Sequence, residues 1–345
     1  MDVQRRLTRP ELTAALAARQ GLIERRRLDP AEAIRRLTPL QGQHPPAPYI
    51  ALAARLEGFA RADLEAAITA GTVVKTTINR LTLHLAAAAD YPAYAQLTRQ
   101  ARMRTWRKQY AHLDEERVTA ELSAWFREPR TNAEVRERVG AYDGVTDETW
   151  TPIVFARALL PLIQLPPAGH WDDPRRAGFV LDPRPLPDPA DAATLVLERY
   201  LGAFGPASKR DVAAWAGVAQ RDFAAAWERL ETVAYQDGLC DLPGAPLPPA
   251  DTPLPPRLLA HWDQPLLAYT DRERVMAPEI QALQLTLSGS PTVTVDGRVA
   301  ASWAIRDDVL EITPHIELSR SQRAAIREEA LRTAHFCGAK TVTEL

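Results

Sequence analysis

Residues 194–230 read TLVLERYLGAFGPASKRDVAAWAGVAQRDFAAAWERL. An apolar run with helical period stops at Gly205-Pro206, and a short helix begins at Ser208. A turn falls at Gly217, and a longer helix follows AGVAQ. Two helices spaced about a glycine turn predict a helix-turn-helix unit. The expected second helix, AQRDFAAAWERL, spends its surface on Ala, Phe and Trp, so it suits packing better than reading base edges.

The same order recurs upstream. TRPELTAALAARQGL opens with a Thr8 cap and Pro10, and DPAEAIRRL with an Asp29 cap and Pro30. After LQGQHPP the runs PYIALAARLEGF and RADLEAAITAG read as helices, the second ended by Gly71. Residues 72–88, TVVKTTINRLTLHLAAA, then switch to a two-residue period, predicting one long strand or two short ones. That alternation puts Arg80, Thr82 and His84 on one face, and Asn79, Leu81, Leu83 and Leu85 on the other. A helix–helix–helix–strand order predicts a helix-turn-helix with a wing. RTNAEVRERVGAY, capped at Thr131 or Asn132, begins a further copy with DETWTPIVFARALLPLIQLPP and GHWDDPRRAGFVLDP behind it. Residues 240–256, CDLPGAPLPPADTPLPP, are too rich in proline for regular structure and predict a linker. Strands dominate the C-terminal part of the chain. PTVTVDGRVAASWAI alternates about Asp296-Gly297, a strong hairpin signal, with Arg298 at its end. This tip either probes a groove or is a plain turn. SRSQRAAIREEALRTAHFCGA closes the chain as a helix capped by Ser319 or Ser321. The expected organisation is four parts: residues 1–112, 113–188, 189–256, and a β-rich 257–345.

At 345 residues the chain exceeds one small core, and 46% hydrophobic with 25% charged content is ordinary for a soluble protein. The N-terminus lacks an apolar signal region. FARALLPLIQLPP is halted by Pro166 and Pro167 before it could span a membrane. A cytoplasmic protein is the expectation. Cys240 and Cys337 form no ligand pattern, and the seven histidines show no HxH, HxxxH or HExxH spacing, so no metal is expected. Net charge is −2, yet residues 98–110, TRQARMRTWRKQY, carry Arg99, Arg102, Arg104, Arg107 and Lys108 without an acid. Arg25, Arg26, Arg27, Arg35 and Arg36 form a second basic group. Such strips fit a polyanion on one face, or simply solvated helix surfaces.

Residues 37–50, LTPLQGQHPPAPYI, hold Gln41 and Gln43 in a loop. Carboxamides do not titrate near neutrality, so any chemistry here would use positioned hydrogen bonds. The pair either serves that purpose or satisfies backbone groups in the turn. His44 beside it either binds a phosphate or the motif, or is incidental. Trp262 and Asp263 read as structural, Asp263 capping or pairing with Arg272 or Arg274.

Taken in order, LQGQHPPAPYIALAARL, VVKTTINRLTLHL, RTNAEVRERV, LLPLIQLPPAGHW, GPASKRDVAAWAG, LLAHWDQPLLAYTDRERVM, PTVTVDGRVAASW and LSRSQRAAIREEA resemble the winged-helix DNA glycosylases grouped around the azinomycin-resistance enzyme of antibiotic-producing bacteria. The likeness covers nearly the whole chain. It implies a mainly α, α+β fold of three tandem winged helices, plus a C-terminal β-barrel-like element about a C-shaped DNA channel. It implies a Gln-x-Gln catalytic loop at Gln41 and Gln43, where Gly42 replaces a bulkier apolar residue. The family's Arg-Gly-Thr-Leu-His is RLTLH here: Arg80, Thr82 and His84 match, and Leu81 departs. The implied substrate is double-stranded DNA with N7-alkylated purines, hydrolysed at the N-glycosidic bond by a monomer without a cofactor. His44, Arg80, Thr82, His84, Arg99, Arg102, Arg104, Arg107, Lys108 and Arg298 would bind DNA or line the channel. The competing expectation is a winged-helix regulator without catalysis.

Overall fold

In a computed structural model, residues 3–146, 151–172, 178–286 and 289–343 are described. One order of elements occurs three times. It runs α2 (Pro30–Leu37), β1 (Leu40–Gln41), α3 (Ala47–Ala53), α4 (Arg61–Thr69), β2 (Val73–Thr77) and β3 (Leu83–Ala87), behind a leading α1 (Arg9–Arg19). After α5 (Tyr91–Gln109) come α6 (Glu115–Trp125), β4 (Arg130–Thr131), α7 (Asn132–Gly140), α8 (Thr151–Leu159), β5 (Leu162–Gln164) and β6 (Gly178–Leu181). The third round is α9 (Pro189–Phe204), β7 (Ala207–Ser208), α10 (Lys209–Ala216), α11 (Ala224–Arg229), β8 (Val233–Ala234) and β9 (Leu239–Asp241). Each time a helix leads through a two-residue strand into two helices and a hairpin. The short strand always pairs antiparallel with the last strand of its own round. Parts of the expected second copy, residues 147–150 and 173–177, lie outside the described residues.

The caps fall where the sequence asks for them. Thr8, Thr131, Ser208 and Ser319 close capping boxes with Glu11, Glu134, Asp211 and Gln322, and Asp29 accepts from the amides of Ala31 and Glu32. Residues 72–88 form two short strands, not one long one. Arg80 and Leu81 turn the chain between them at φ 52° and 58°. The alternation predicted for Arg80, Thr82 and His84 therefore breaks at Arg80.

The first two hairpins merge into one six-stranded sheet, ordered β1-β3-β2-β5-β6-β4. The third round keeps its own three strands. Beyond the proline segment, β10 (Arg257–Leu259), β11 (Thr292–Val295), β12 (Arg298–Arg306), β13 (Val309–Pro314) and β14 (Thr341–Val342) form a second sheet, with α12 (Pro278–Thr286) and α13 (Arg320–Cys337). This sheet is open, with β10 and β14 as its edges, so the expected barrel-like closure is not made among the described residues. Asp296 and Gly297 turn at φ 50° and 74°, as a two-residue hairpin requires. The tip is packed: a Cβ on Gly297 would lie 2.5 Å from the Thr13 side chain and 2.7 Å from Leu254. Arg298 donates to the Glu273 carbonyl. Asp296, at the tip, remains exposed.

Hydrophobic clusters cross the four segments read from the sequence. One joins Val74, Tyr91 and Tyr94 to Tyr200, Phe204, Trp215 and Tyr269. Another joins Ile34, Leu52 and Leu85 to Val293, Trp303 and Ile326. Only the middle round has a core nearly its own, around Trp106, Phe126, Phe155 and Phe179.

Candidate active site

Gln41 is the second residue of β1, and its counterparts in the other two rounds are Thr131 and Ser208. Those two are N-caps, each hydrogen-bonded to the amide three residues on. Gln41 caps nothing. Its helix starts late, at Ala47, behind Gly42, Gln43, His44 and two prolines, and Pro46 supplies no side-chain cap. An N-cap is worth about 1 kcal/mol, so the first round forgoes local stability at this one position. Departures of that kind concentrate at functional sites.

The pairing register explains what Gln41 meets. Gln41 faces His84, and His84 faces Thr76 on the next strand, so the three share a sheet face. Thr82, two residues before His84, lies on that face too. Its hydroxyl is 3.2 Å from Gln41 Oε1 and 3.1 Å from the Asn79 carbonyl. With Oε1 turned toward Thr82, Gln41 Nε2 donates to Gln43 Oε1 at 2.7 Å. The chain Thr82–Gln41–Gln43 orients both amides. Gln41 is buried and Gln43 is exposed, so the relay runs outward to solvent. Among the described residues no carboxylate hydrogen-bonds either glutamine.

Gly42 fits without needing to be glycine. A Cβ there would lie 3.4–3.5 Å from the His84 and Leu85 backbone, an ordinary contact, and the Gly42 amide donates to Leu83 at 2.8 Å. The loop is held by this backbone bond whatever side chain stands at 42. Leu81 is the opposite case. Its φ of 58° is a conformation glycine takes freely, and its side chain is 43% exposed. A strained, exposed leucine stands beside Thr82.

Three imidazoles surround the motif. His84 is fully buried, and its Nδ1 lies 2.9 Å from the Thr82 carbonyl, so Nδ1 carries the proton and Nε2 is a lone pair. Burial, helped by Arg80, pushes its pKa down to about 3. His44 lies against His261, with ring centroids 4.3 Å apart and the rings tilted by 36°. Burial lowers both, and His44 adds to the effect on His261, which reaches about 4. Sequence reasoning gave His261 no role, since the pairing joins positions far apart in the chain. Neutral imidazoles here offer no proton to a leaving group near pH 7.

The remaining sequence-chosen residues divide. Arg80 is folded back: its guanidinium donates to the Trp215 carbonyl at the end of α10. This approach is why Gly217 is glycine, for a Cβ there would fall 2.8 Å from the Arg80 backbone. Arg102 is buried and donates to Thr98 and Ala95, so it leaves the exposed strip. Arg107 pairs with Glu115, while Arg99, Arg104 and Lys108 stay exposed without an ion pair among the described residues. In the N-terminal group, Arg25 pairs with Glu329, and Arg35 and Arg36 with Glu32. Asp263 pairs with Arg55, not with Arg272 or Arg274, and both side chains are buried. Among the described residues no group of His, Cys, Asp and Glu could hold a metal, and no helix is long and apolar enough to cross a membrane.

Fold and site together define a class: three repeated helix–strand–helix–helix–hairpin units, the first of which carries a hydrogen-bonded carboxamide pair. The chain belongs to the family described as DNA glycosylase AlkZ-like, whose model matches residues 34–336. It is 30% identical over 180 residues to the interstrand DNA cross-link repair glycosylase of Streptomyces sahachiroi. That alignment covers 44% of this chain and 45% of the relative, so the match spans under half the relative's length. The fold is that of the Streptomyces sahachiroi DNA glycosylase AlkZ, with a TM-score of 0.83 at 23% identity, over 98% of this chain and 99% of that one.

Proposed function

We propose that the protein is a monofunctional DNA glycosylase that hydrolyses the N-glycosidic bond of N7-alkylated purines in double-stranded DNA, including those tied into interstrand crosslinks. The observation that carries this reading is the Thr82–Gln41–Gln43 relay at a position where both sister rounds keep a helix cap. In this reading the three rounds are three winged helices that border a channel for DNA, and the enzyme acts as a cytoplasmic monomer without a cofactor.

The chemistry fits carboxamides. An N7-alkylguanine already carries positive charge, so it leaves without being protonated. The site must align a water at C1′ and stabilise the developing sugar cation. The free lone pair of Gln43 Oε1 accepts from that water and turns partial negative charge toward the cation. Gln41 holds Gln43 in place, and Thr82 holds Gln41. No lysine accompanies the motif, so a Schiff base and strand cleavage are not part of the mechanism. Neutral bases, which need an acid, are left intact.

Single-turnover excision from an N7-methylguanine duplex tests the reading. Gln43→Ala and Gln41→Ala are each expected to slow excision by about 10²-fold or more, as for a lost preorganised contact, with DNA affinity nearly unchanged. Wild-type rates in both variants would return the glutamines to the status of turn residues.

A further inference from the structure

The hairpin that carries Thr82 also walls a cavity of about 290 Å³ between α5 and α8, through Thr77 and Leu81. Arg102 and Trp106 from α5, and Arg157 from α8, line it as well. Three of these residues hold buried polar atoms without a protein partner: the Thr77 hydroxyl, Arg102 Nε and the Trp106 indole nitrogen. The arginine and indole groups can only donate. Arg102 is 4% exposed, and its other nitrogens bond only neutral oxygens, those of Thr98 and Ala95. Arg157 sits 4.9 Å over the Phe179 ring. Among the described residues no carboxylate acts on either guanidinium. Burial lowers both pKa values, that of Arg157 to about 10, so both remain cations at neutral pH. Cations taken out of water are ordinarily paired, and among the described residues neither the buried Arg102 nor the half-buried Arg157 has an anion beside it.

We propose that this cavity is a phosphate site, where Arg102, Arg157 and the Trp106 N–H hold a phosphate group carried by a nucleic-acid strand. A phosphate offers only acceptors and negative charge, the complement of the polar corner made by Arg102, Trp106 and Arg157, while Leu81, Val154, Phe155 and Ala158 make up an apolar remainder of the wall. The cationic base of an alkylated purine is repelled there, so the cavity is not where the damaged base goes. Leu81 lines the cavity and Thr82 touches Gln41, which puts the phosphate beside the reacting nucleotide. The inference rests on the DNA reading given above.

The test uses the full chain and an undamaged duplex, so it needs no excision. Arg157→Gln removes the charge, and Trp106→Phe removes the donor while keeping a ring. Unfolding of both variants is checked first. Losing one phosphate contact is expected to lower the slope of log K against log salt by about 0.9 in Arg157→Gln. A neutral methylphosphonate walked along the strand of a second duplex, whose single abasic-site analogue fixes the register without excision, is expected to weaken wild-type binding at one linkage and to have no added effect there in Arg157→Gln. A second arm titrates inorganic phosphate and follows the melting temperature. A rise in the wild type that Arg157→Gln and Trp106→Phe lack, with an unchanged duplex slope, would assign the site to a free phosphate. Wild-type slope, wild-type methylphosphonate response and no phosphate effect together would overturn the proposal. Excision of N7-methylguanine by the wild type, measured separately, decides the glycosylase reading by itself.

Discussion

At the scale of single residues, the fully buried His84 makes a pH dependence that can be signed. Unfolded, it binds a proton below about pH 6.5; folded, burial refuses that proton until about pH 3. Stability is complete above 6.5 and falls as pH drops through the window from 6.5 toward 3, by about 1.4 kcal/mol per unit. At pH 5 the loss is about 2 kcal/mol. Urea unfolding at pH 7.5 and 5 measures it, and His84→Gln is expected to lose less between the two. An equal loss in both proteins would move the titration to another group. Gln41 and Leu81 show a second residue-scale lesson. Each breaks a local rule, one by leaving a helix uncapped and the other by holding an exposed leucine at positive φ, and the strand of Gln41 pairs with the hairpin that Leu81 turns.

At the scale of elements, the two-residue strand is the part that changed use. In the second and third rounds it delivers a hydroxyl to the next helix; in the first it delivers a carboxamide to a loop. Removing the cap with Ser208→Ala is expected to cost about 1 kcal/mol of stability and leave excision untouched. Gln41→Ala should show the reverse, with a smaller stability loss and the large kinetic defect. Thermal or urea unfolding of the two variants side by side checks this, and a larger stability loss in Gln41→Ala than in Ser208→Ala would mean that Gln41 is mainly structural. The helices capped at Thr8, Asp29, Thr131, Ser208 and Ser319 and the Asp296-Gly297 turn were legible in the sequence, because caps and turns act within a few residues, whereas α5, α6 and α12 were not read from it. The basic run on α5 was legible only as composition. Which of its arginines faces inward depends on what α8 and the hairpin place against it.

At the scale of the whole molecule, two buried ion pairs tie the first round to distant segments. Arg19 on α1 meets Asp241 of the third round at 2.6 Å, and Arg55 after α3 meets Asp263 beyond the proline segment at 2.6 Å. All four side chains are at most 3% exposed. Breaking such a pair strands a charge in the interior, so Asp263→Ala is expected to cost about 3–5 kcal/mol. Replacing both partners, Arg55→Met with Asp263→Leu, is expected to recover much of it. Urea denaturation of the single and double variants measures the difference. A cost below about 1 kcal/mol in the single variant would mean that the pair is solvated in solution. The same ties explain why the clusters ignore segment boundaries drawn from the sequence: the first round packs on both the third round and the terminal sheet.

The sequence by itself determined the helix-turn-helix order, the caps, the terminal hairpin and the glutamine loop, since each is written in adjacent residues through period, turn chemistry and residue type. Only the tertiary structure decided what those residues do. Gln41 meets Thr82, His44 meets His261, Arg55 meets Asp263 and Arg80 meets Trp215 across 41 to 217 positions of chain (82 − 41, 261 − 44, 263 − 55, 215 − 80). Burial, charge balance and hydrogen-bond partners are properties of such meetings, and no local pattern encodes them.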